Sequence, residues 1–118
     1  MNYFCIFAKP FLLELIFKDL NLIDLYEGTK ISDKKYRFDP ALIKQYQKVI
    51  FRLRAIENIE QLYQFHALNY EKLKGNLKGK SSVRINKKYR LIFEEVQSTD
   101  NPPEITILLI EEISNHYE

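Results

Sequence analysis

The sequence predicts an α+β fold in which one strand leads, helices follow, and an antiparallel sheet closes the domain. Three observations predict it. An apolar segment opens the chain at residues 2–8, helical periodicity runs through the middle, and β-branched alternation takes over after Gly75 and Gly79. Helices first and strands after, with a single leading strand, fit a compact two-layer domain. At 118 residues the chain is expected to be one domain, 1–118, long enough to bury a core without disulfides or metals.

Taken in order, residues 2–8 read as a short apolar strand. Pro10 suits a first helical turn, and Phe11 to Tyr26 is apolar enough to predict a helix that Gly28 ends. Gly28 to Arg37 is polar and basic and reads as a loop. Asp39-Pro40 starts the next helix, with Asp39 as N-cap and Pro40 at the first helical position. Leu42, Tyr46, Val49, Ile50 and Leu53 then fall on one helical face. Asn58 is expected to cap a short helix that buries Ile59, Leu62 and Tyr63. Ser82–Ile85, Tyr89–Val96 and Glu104–Ile113 read as an antiparallel meander, with Asp100 to Pro103 as its second turn.

Composition narrows the function. The single cysteine, Cys5, sits in an apolar run, permits no internal disulfide and points to a reducing compartment, the cytoplasm. One Cys and two His offer no zinc-type ligand spacing, so no metal and no cofactor is expected. Lys9, Pro10 and Glu14 interrupt the opening apolar run, so neither a targeting segment nor a membrane span is expected. The sixteen Tyr and Phe residues read as core and sheet packing, and His66 as helix-end packing.

The net charge of +2 conceals an asymmetry. Eight basic residues (Lys72, Lys74, Lys78, Lys80, Arg84, Lys87, Lys88, Arg90) lie between positions 72 and 90 without one acid, leaving the rest of the chain at −6. Such a segment fits a polyanionic partner; a lysine-protected edge strand is the blander reading. Side-chain parity sharpens the choice. Val83 and Ile85 must share the buried face with Tyr89, Leu91 and Phe93, which requires an odd-numbered loop, Asn86-Lys87-Lys88. Arg84 then lies across from Arg90 on the face away from the core. Like charges facing each other across a ladder are unfavourable unless an anion fills the gap.

The run Tyr70-Glu71-Lys72-Leu73-Lys74-Gly75-Asn76-Leu77-Lys78-Gly79, with Ser82-Val83-Arg84-Ile85-Asn86 and Tyr89-Arg90-Leu91-Ile92-Phe93, resembles the RelE/ParE superfamily and more narrowly its HigB branch. Glu112-Ile113-Ser114-Asn115-His116-Tyr117 is similar to that branch's histidine-bearing ending. Lys9 to Leu15 and Ser32 to Phe38 resemble one HigB-like subgroup, although the stretch from Ile16 to Asp24 is longer than that resemblance implies. Glu71 stands where such toxins often carry a histidine, and Ser114-Asn115-His116 where they often have Asp-Tyr-His. The resemblance implies a RelE-like fold, an N-terminal strand and helices on one face of a twisted, mainly antiparallel sheet. It also implies a toxin that cleaves mRNA in the ribosomal A site and is neutralised by a helix-turn-helix antitoxin.

Metal-free RNA cleavage needs cations on the phosphorane-like transition state and groups that move protons. Arg84 and Arg90 are the expected cations, because a guanidinium grips two phosphate oxygens at once. His116 is the expected acid or base, with Tyr117 as proton donor or stacking platform; a docked or disordered tail is the competing account of that pair. Glu71 is a candidate base or a plain surface glutamate. Lys72, Lys74, Lys78, Lys80, Lys87 and Lys88 are expected to touch the RNA backbone, and Lys34, Lys35 and Arg37 either extend that surface or solubilise a loop. Two rival functions share this fold: a ParE-like inhibitor of DNA gyrase, and an RNA-binding module without catalysis.

Overall fold

The computed structural model of the chain describes residues 4–7, 13–98 and 105–115. Its strands are β1 (Phe4–Phe7), β2 (Leu13–Phe17), β3 (Glu71–Lys72), β4 (Lys80–Arg84), β5 (Arg90–Ser98) and β6 (Ile105–Ser114), and its helices α1 (Leu20–Glu27) and α2 (Pro40–Ala55). The strands form one sheet in the order β1-β2-β6-β5-β4-β3. Every neighbouring pair is antiparallel except β2 and β6, which run parallel. The expected α+β class and mainly antiparallel sheet are therefore what the chain adopts.

The expected helix from Phe11 to Tyr26 is not. The chain forms β2 there, breaks at Lys18-Asp19, and only then starts α1. Leu13, Leu15 and Phe17 are fully buried while Glu14 and Ile16 are half-buried, a period-2 alternation that Ile16 makes hard to see in so apolar a run. Pairing with β6 along residues 106–110 decides the matter, since helix propensity is a weak prior against a buried ladder. Asp19 then caps α1: its Oδ1 accepts from the Asn21 backbone N–H (2.9 Å) and its Oδ2 from the Tyr36 hydroxyl (2.6 Å). Gly28, at φ 80°, closes the helix in the left-handed region that glycine tolerates best.

The second helix follows its periodicity. Leu42, Tyr46, Val49, Ile50 and Leu53 are all buried, and Pro40 occupies the first turn. Asp39, expected to cap it, makes no side-chain capping bond. Asn58 does cap, accepting from the Gln61 backbone N–H (3.1 Å), but what it starts is a 3-10 helix, Ile59–Gln64. With three residues per turn, Ile59 and Leu62 share the inward face and Tyr63 leaves it, so the tyrosine expected in the core is 58% exposed. Its ring meets that of Tyr70 edge-on at 4.9 Å.

The meander forms with the expected register. Val83 pairs with Leu91 and Arg84 with Arg90, and Ile85 donates its backbone N–H to the Tyr89 carbonyl (2.9 Å). Asn86 builds the turn by accepting from the backbone N–H groups of Lys88 and Tyr89 (2.8 Å each). Its amide donates to Gln45 (2.9 Å), tying the hairpin tip to α2. The second turn, at Asp100 to Pro103, lies outside the described residues. Val83, Leu91, Phe93, Leu108 and Ile110 meet the inward faces of α1 and α2 in one core, so the helices cover one face of the sheet.

Two bonds make that packing testable. The hydroxyl of fully buried Tyr46 donates to the Leu22 carbonyl (2.6 Å), joining α2 to α1. Tyr46→Phe removes a buried interhelix hydrogen bond from a carbonyl that lies within α1, and is expected to cost about 0.5–1.5 kcal/mol in urea unfolding. Burial opposes ionisation of Asp19, but hydrogen bonds from Tyr36 and Asn21, with Lys35 nearby, hold its carboxyl below the ordinary 3.8. A depressed folded pKa stabilises above the unfolded value and is lost as pH falls through the folded one. Asp19→Ala is therefore expected to cost about 1 kcal/mol at pH 7 as a lost cap. The difference from the parent should shrink progressively in unfolding curves taken below pH 3.8.

Candidate functional site

The outer face of the sheet is set by strand parity and by one irregularity. On β4 and β5 the residues opposite to the core include Ser82, Arg84, Arg90 and Ile92, with Lys80 and Glu94 further along. Between Ile92 and Phe93 the register with β6 shifts by one residue, with Ile92 facing Glu112 and Phe93 facing Ile110. Glu111 is the extra residue of this bulge, which re-aims the end of β6. As a result Arg84, Arg90 and Ser114 stand in one row across three strands, and Glu71, Ser82, Ile92 and Glu112 in the next.

The two arginines differ in a way that parity does not reveal. Arg84 is exposed, as expected, whereas Arg90 is only 8% exposed. Its Nε donates to Ser82 Oγ (2.8 Å) and its Nη2 to the Asn69 carbonyl (2.6 Å), with a Glu71 carboxylate oxygen 3.8 Å from Nη2. Asn69 adopts φ 44°, left-handed backbone that asparagine tolerates better than most residues. Burial pulls the Arg90 pKa down, Glu71 counters, and Arg84 pulls it down further; a guanidinium so placed still stays charged at neutral pH. Both arginines thus lie opposite each other on the face away from the core, as parity predicts, but they differ in exposure: Arg84 is a surface cation and Arg90 a buried charge held by its partners. A buried cation must be given acceptors, and Ser82, Asn69 and Glu71 supply them.

Ile92 and Leu73 are also buried, yet neither belongs to the main core, so this face carries an apolar patch of its own beside Arg90. The lysines are distributed unevenly around it. Lys72, Lys74, Lys78, Lys87 and Lys88 are exposed, Lys74 leading into a 3-10 turn at Gly75–Leu77 and Lys87 and Lys88 at the hairpin tip. Lys80 departs from expectation: it is half-buried and ion-paired with Glu111, whose hydrogen bond raises its pKa above the ordinary value. The bulge supplies that partner, so Lys80, unlike the other five lysines, is engaged in an ion pair within the sheet. Lys34 and Lys35 belong to the short 3-10 turn that ends at Tyr36, and Lys35 lines a groove with Tyr89, Glu112, Ser114 and Asn115.

His116 and Tyr117 lie outside the described residues. Strand β6 runs as far as Ser114, the register partner of Arg90. Among the described residues no group of His, Cys, Asp and Glu is arranged to hold a metal, and no helix is long and apolar enough to cross a membrane. Sequence reasoning overlooked Ser82 and Asn69 as ligands of Arg90. Ser82 was findable, since it shares a strand face with Arg84, two positions away. Asn69 carries no such signal, because a backbone carbonyl serves and any residue has one.

A model of the HigB-like toxin family, described as the RelE-like toxin of the type II toxin-antitoxin system HigB, matches residues 15–102. Toxin HigB-1 of Vibrio cholerae serotype O1 is 38% identical over 86 residues, covering 70% of this chain and 83% of that protein. A solved YoeB/ParE toxin from Agrobacterium tumefaciens aligns over 87% of this chain and 98% of its own, at 20% identity and a TM-score of 0.49. The matched span covers β2 through β5, including both arginines, Glu71 and the lysine-rich turn. The chain belongs to the HigB-like toxins of the RelE superfamily, toxin components of type II toxin–antitoxin systems.

Proposed function

We propose that the protein is an endoribonuclease that cuts mRNA on the translating ribosome, and that Arg84 and Arg90 hold the reacting phosphate. The observation that carries this reading is the cross-strand pair itself. Two guanidinium-bearing residues face each other on the outer sheet face, one of them locked by Ser82, Asn69 and Glu71 before any ligand arrives. A phosphate between them relieves their repulsion and meets a charge that needs no reorganisation, which is how fixed cations favour a phosphorane over its ground state.

The reaction needs no metal in this scheme. A base removes the proton of a 2′-hydroxyl, the oxygen attacks the adjacent phosphorus in line, and the 5′-oxygen leaves with a proton, giving a 2′,3′-cyclic phosphate. Arg84, exposed and able to swing, follows the non-bridging oxygens, while Arg90 fixes where they must sit. His116 and Tyr117 are the proposed proton carriers; what supports this is that Ser114, two positions before His116 in sequence, is the register partner of Arg90. Glu71 is better read as the counter-charge that holds Arg90 than as the base, because its carboxylate already faces that guanidinium. Lys72, Lys74, Lys78, Lys87 and Lys88 supply backbone contacts around the site. The partner that neutralises the toxin is a helix-turn-helix antitoxin, and the compartment is the cytoplasm, where translating ribosomes are.

The test is mRNA cleavage on translating ribosomes by the parent and by Arg84→Ala, Arg90→Lys and His116→Ala. Arg84→Ala is the cleanest probe, because an exposed side chain leaves the fold alone; cleavage is expected to fall by about 10²–10³. Arg90→Lys keeps the charge but loses the forked geometry that Ser82 and Asn69 accept from, so cleavage is expected to fall about tenfold or more and the thermal midpoint to fall with it. Intact mRNA with the parent, together with inhibited DNA supercoiling, would establish the gyrase-directed alternative instead.

A further inference from the structure

The second helix carries a feature that its core-facing periodicity hides. Across Pro40–Ala55 there are four cations, Lys44, Lys48, Arg52 and Arg54, and no acid. Lys44, Lys48 and Arg52 recur every four residues, so they form one exposed row with a rise of about 6 Å per step. Like charges at that spacing repel and destabilise a helix. The favourable interaction of cations with a helix C-terminus accounts for Arg52 and Arg54 but not for Lys44 and Lys48, which lie in its first half and middle.

Two grooves meet along this row. One, of about 760 Å³, is lined by Tyr26, Lys44, Gln47, Lys48, Phe51 and Arg52. The other joins Lys48 and Arg52 to Arg84 across Val49 and Leu68. Neither is lined by an acid. Aromatic rings stand beside the cations: Phe51 is 62% exposed, and Phe65, also exposed, lies under the Arg52 guanidinium at 5.6 Å. The hydrogen bond from Asn86 to Gln45 fixes this helix against the β4–β5 hairpin that bears Arg84, so row and arginine keep a constant relation.

We infer that the α2 row of Lys44, Lys48 and Arg52, with Phe51 as a stacking platform, is a second RNA-binding track that leads a single strand to Arg84. Cations in file beside exposed aromatics are the combination that holds single-stranded nucleic acid without reading its sequence. The unbroken run into the Arg84 groove favours RNA over an acidic peptide, because a strand held at the reacting phosphate must leave the sheet in some direction. The inference rests on the reading of the protein as RNA-directed, and it concerns binding, not cleavage.

The test uses the full chain, freed of antitoxin, and a fluorescent oligouridylate of about 20 nucleotides, a length that spans a typical single-strand site. Its riboses are 2′-O-methylated so that no cleavage can occur. Anisotropy titrations run from roughly 50 to 200 mM salt, where phosphate contacts reveal themselves. For K44A/K48A/R52A, affinity is expected to drop at least tenfold at the lowest salt, and the slope of log K against log salt to fall by about 2, at roughly 0.7 per single-strand phosphate. The charge-preserving K44R/K48R/R52K should bind as the parent does. Phe51→Ala should weaken binding with the slope unchanged, the signature of lost stacking. Circular dichroism of each variant checks that α2 is intact.

Parent-like binding by an intact K44A/K48A/R52A would overturn the track, as would a parent that shows no salt-dependent binding. The same variant failing to hold antitoxin while binding RNA normally would overturn it too, assigning the row to the protein partner. The two readings fail separately. Unchanged binding by the triple variant with loss of cleavage in Arg84→Ala removes the track and leaves the nuclease; weakened binding with no cleavage by the parent does the reverse.

Discussion

A guanidinium removed from water must be surrounded by acceptors, and the outer face of this sheet is arranged around that demand at Arg90. Ser82 comes from the neighbouring strand, Glu71 from the strand beyond it, and the Asn69 carbonyl from a backbone bend that most residues would resist. These three come from separate segments, so the position of the charge depends on β3, β4 and β5 being correctly paired. The cost of burying a charge is large if any acceptor is missing. Correct assembly of this edge and correct placement of the cation are therefore the same event.

Around this fixed charge the remaining features divide by exposure. Arg84, Lys74 and Lys78 on either side of the Gly75–Leu77 turn, and Lys87 and Lys88 at the hairpin tip are open to solvent. Lys80 is withdrawn from that group by Glu111, a residue present at that point only because β6 carries one more residue than its partner. A bulge that re-aims a strand end thus does two things: it pairs one lysine internally and brings Ser114 alongside Arg90. The charges on this basic face are unequally placed: Arg90 is enclosed by its acceptors, while Arg84 and five lysines stand open to solvent.

Much of this was legible in the sequence. Parity alone located the hairpin loop and set Arg84 opposite Arg90, because a strand that buries every second residue permits one register. Helical periodicity found the buried face of α2 for the same reason. What failed was the first apolar stretch, where Ile16 interrupts the alternation and where the deciding partner, β6, lies at the far end of the chain. The unexpected length between Ile16 and Asp24 was the clue, since it holds the strand end, the break at Asp19 and the start of α1. Tyr63 failed because a 3-10 helix presents a different face from the α-helix it resembles. The burial of Arg90 was out of reach, because two of its ligands come from β3 and the bend before it, whose pairing no local pattern announces.

The parallel pairing of β2 with β6 has a consequence for how the protein comes into being. Strand β6 is the last of the six to be synthesised, yet it sits inside the sheet, with β2 on one side and β5 on the other. Until it emerges from the exit tunnel, β1 and β2 have no ladder joining them to the rest, and one edge of β5 is left unpaired. Contacts between distant segments are slow to form and leave edges exposed while they wait. A nascent chain therefore cannot complete the sheet before β6 has left the tunnel. The order of the strands acts as a delay: five strands wait, two of them on the far side of a gap, for the one that joins them.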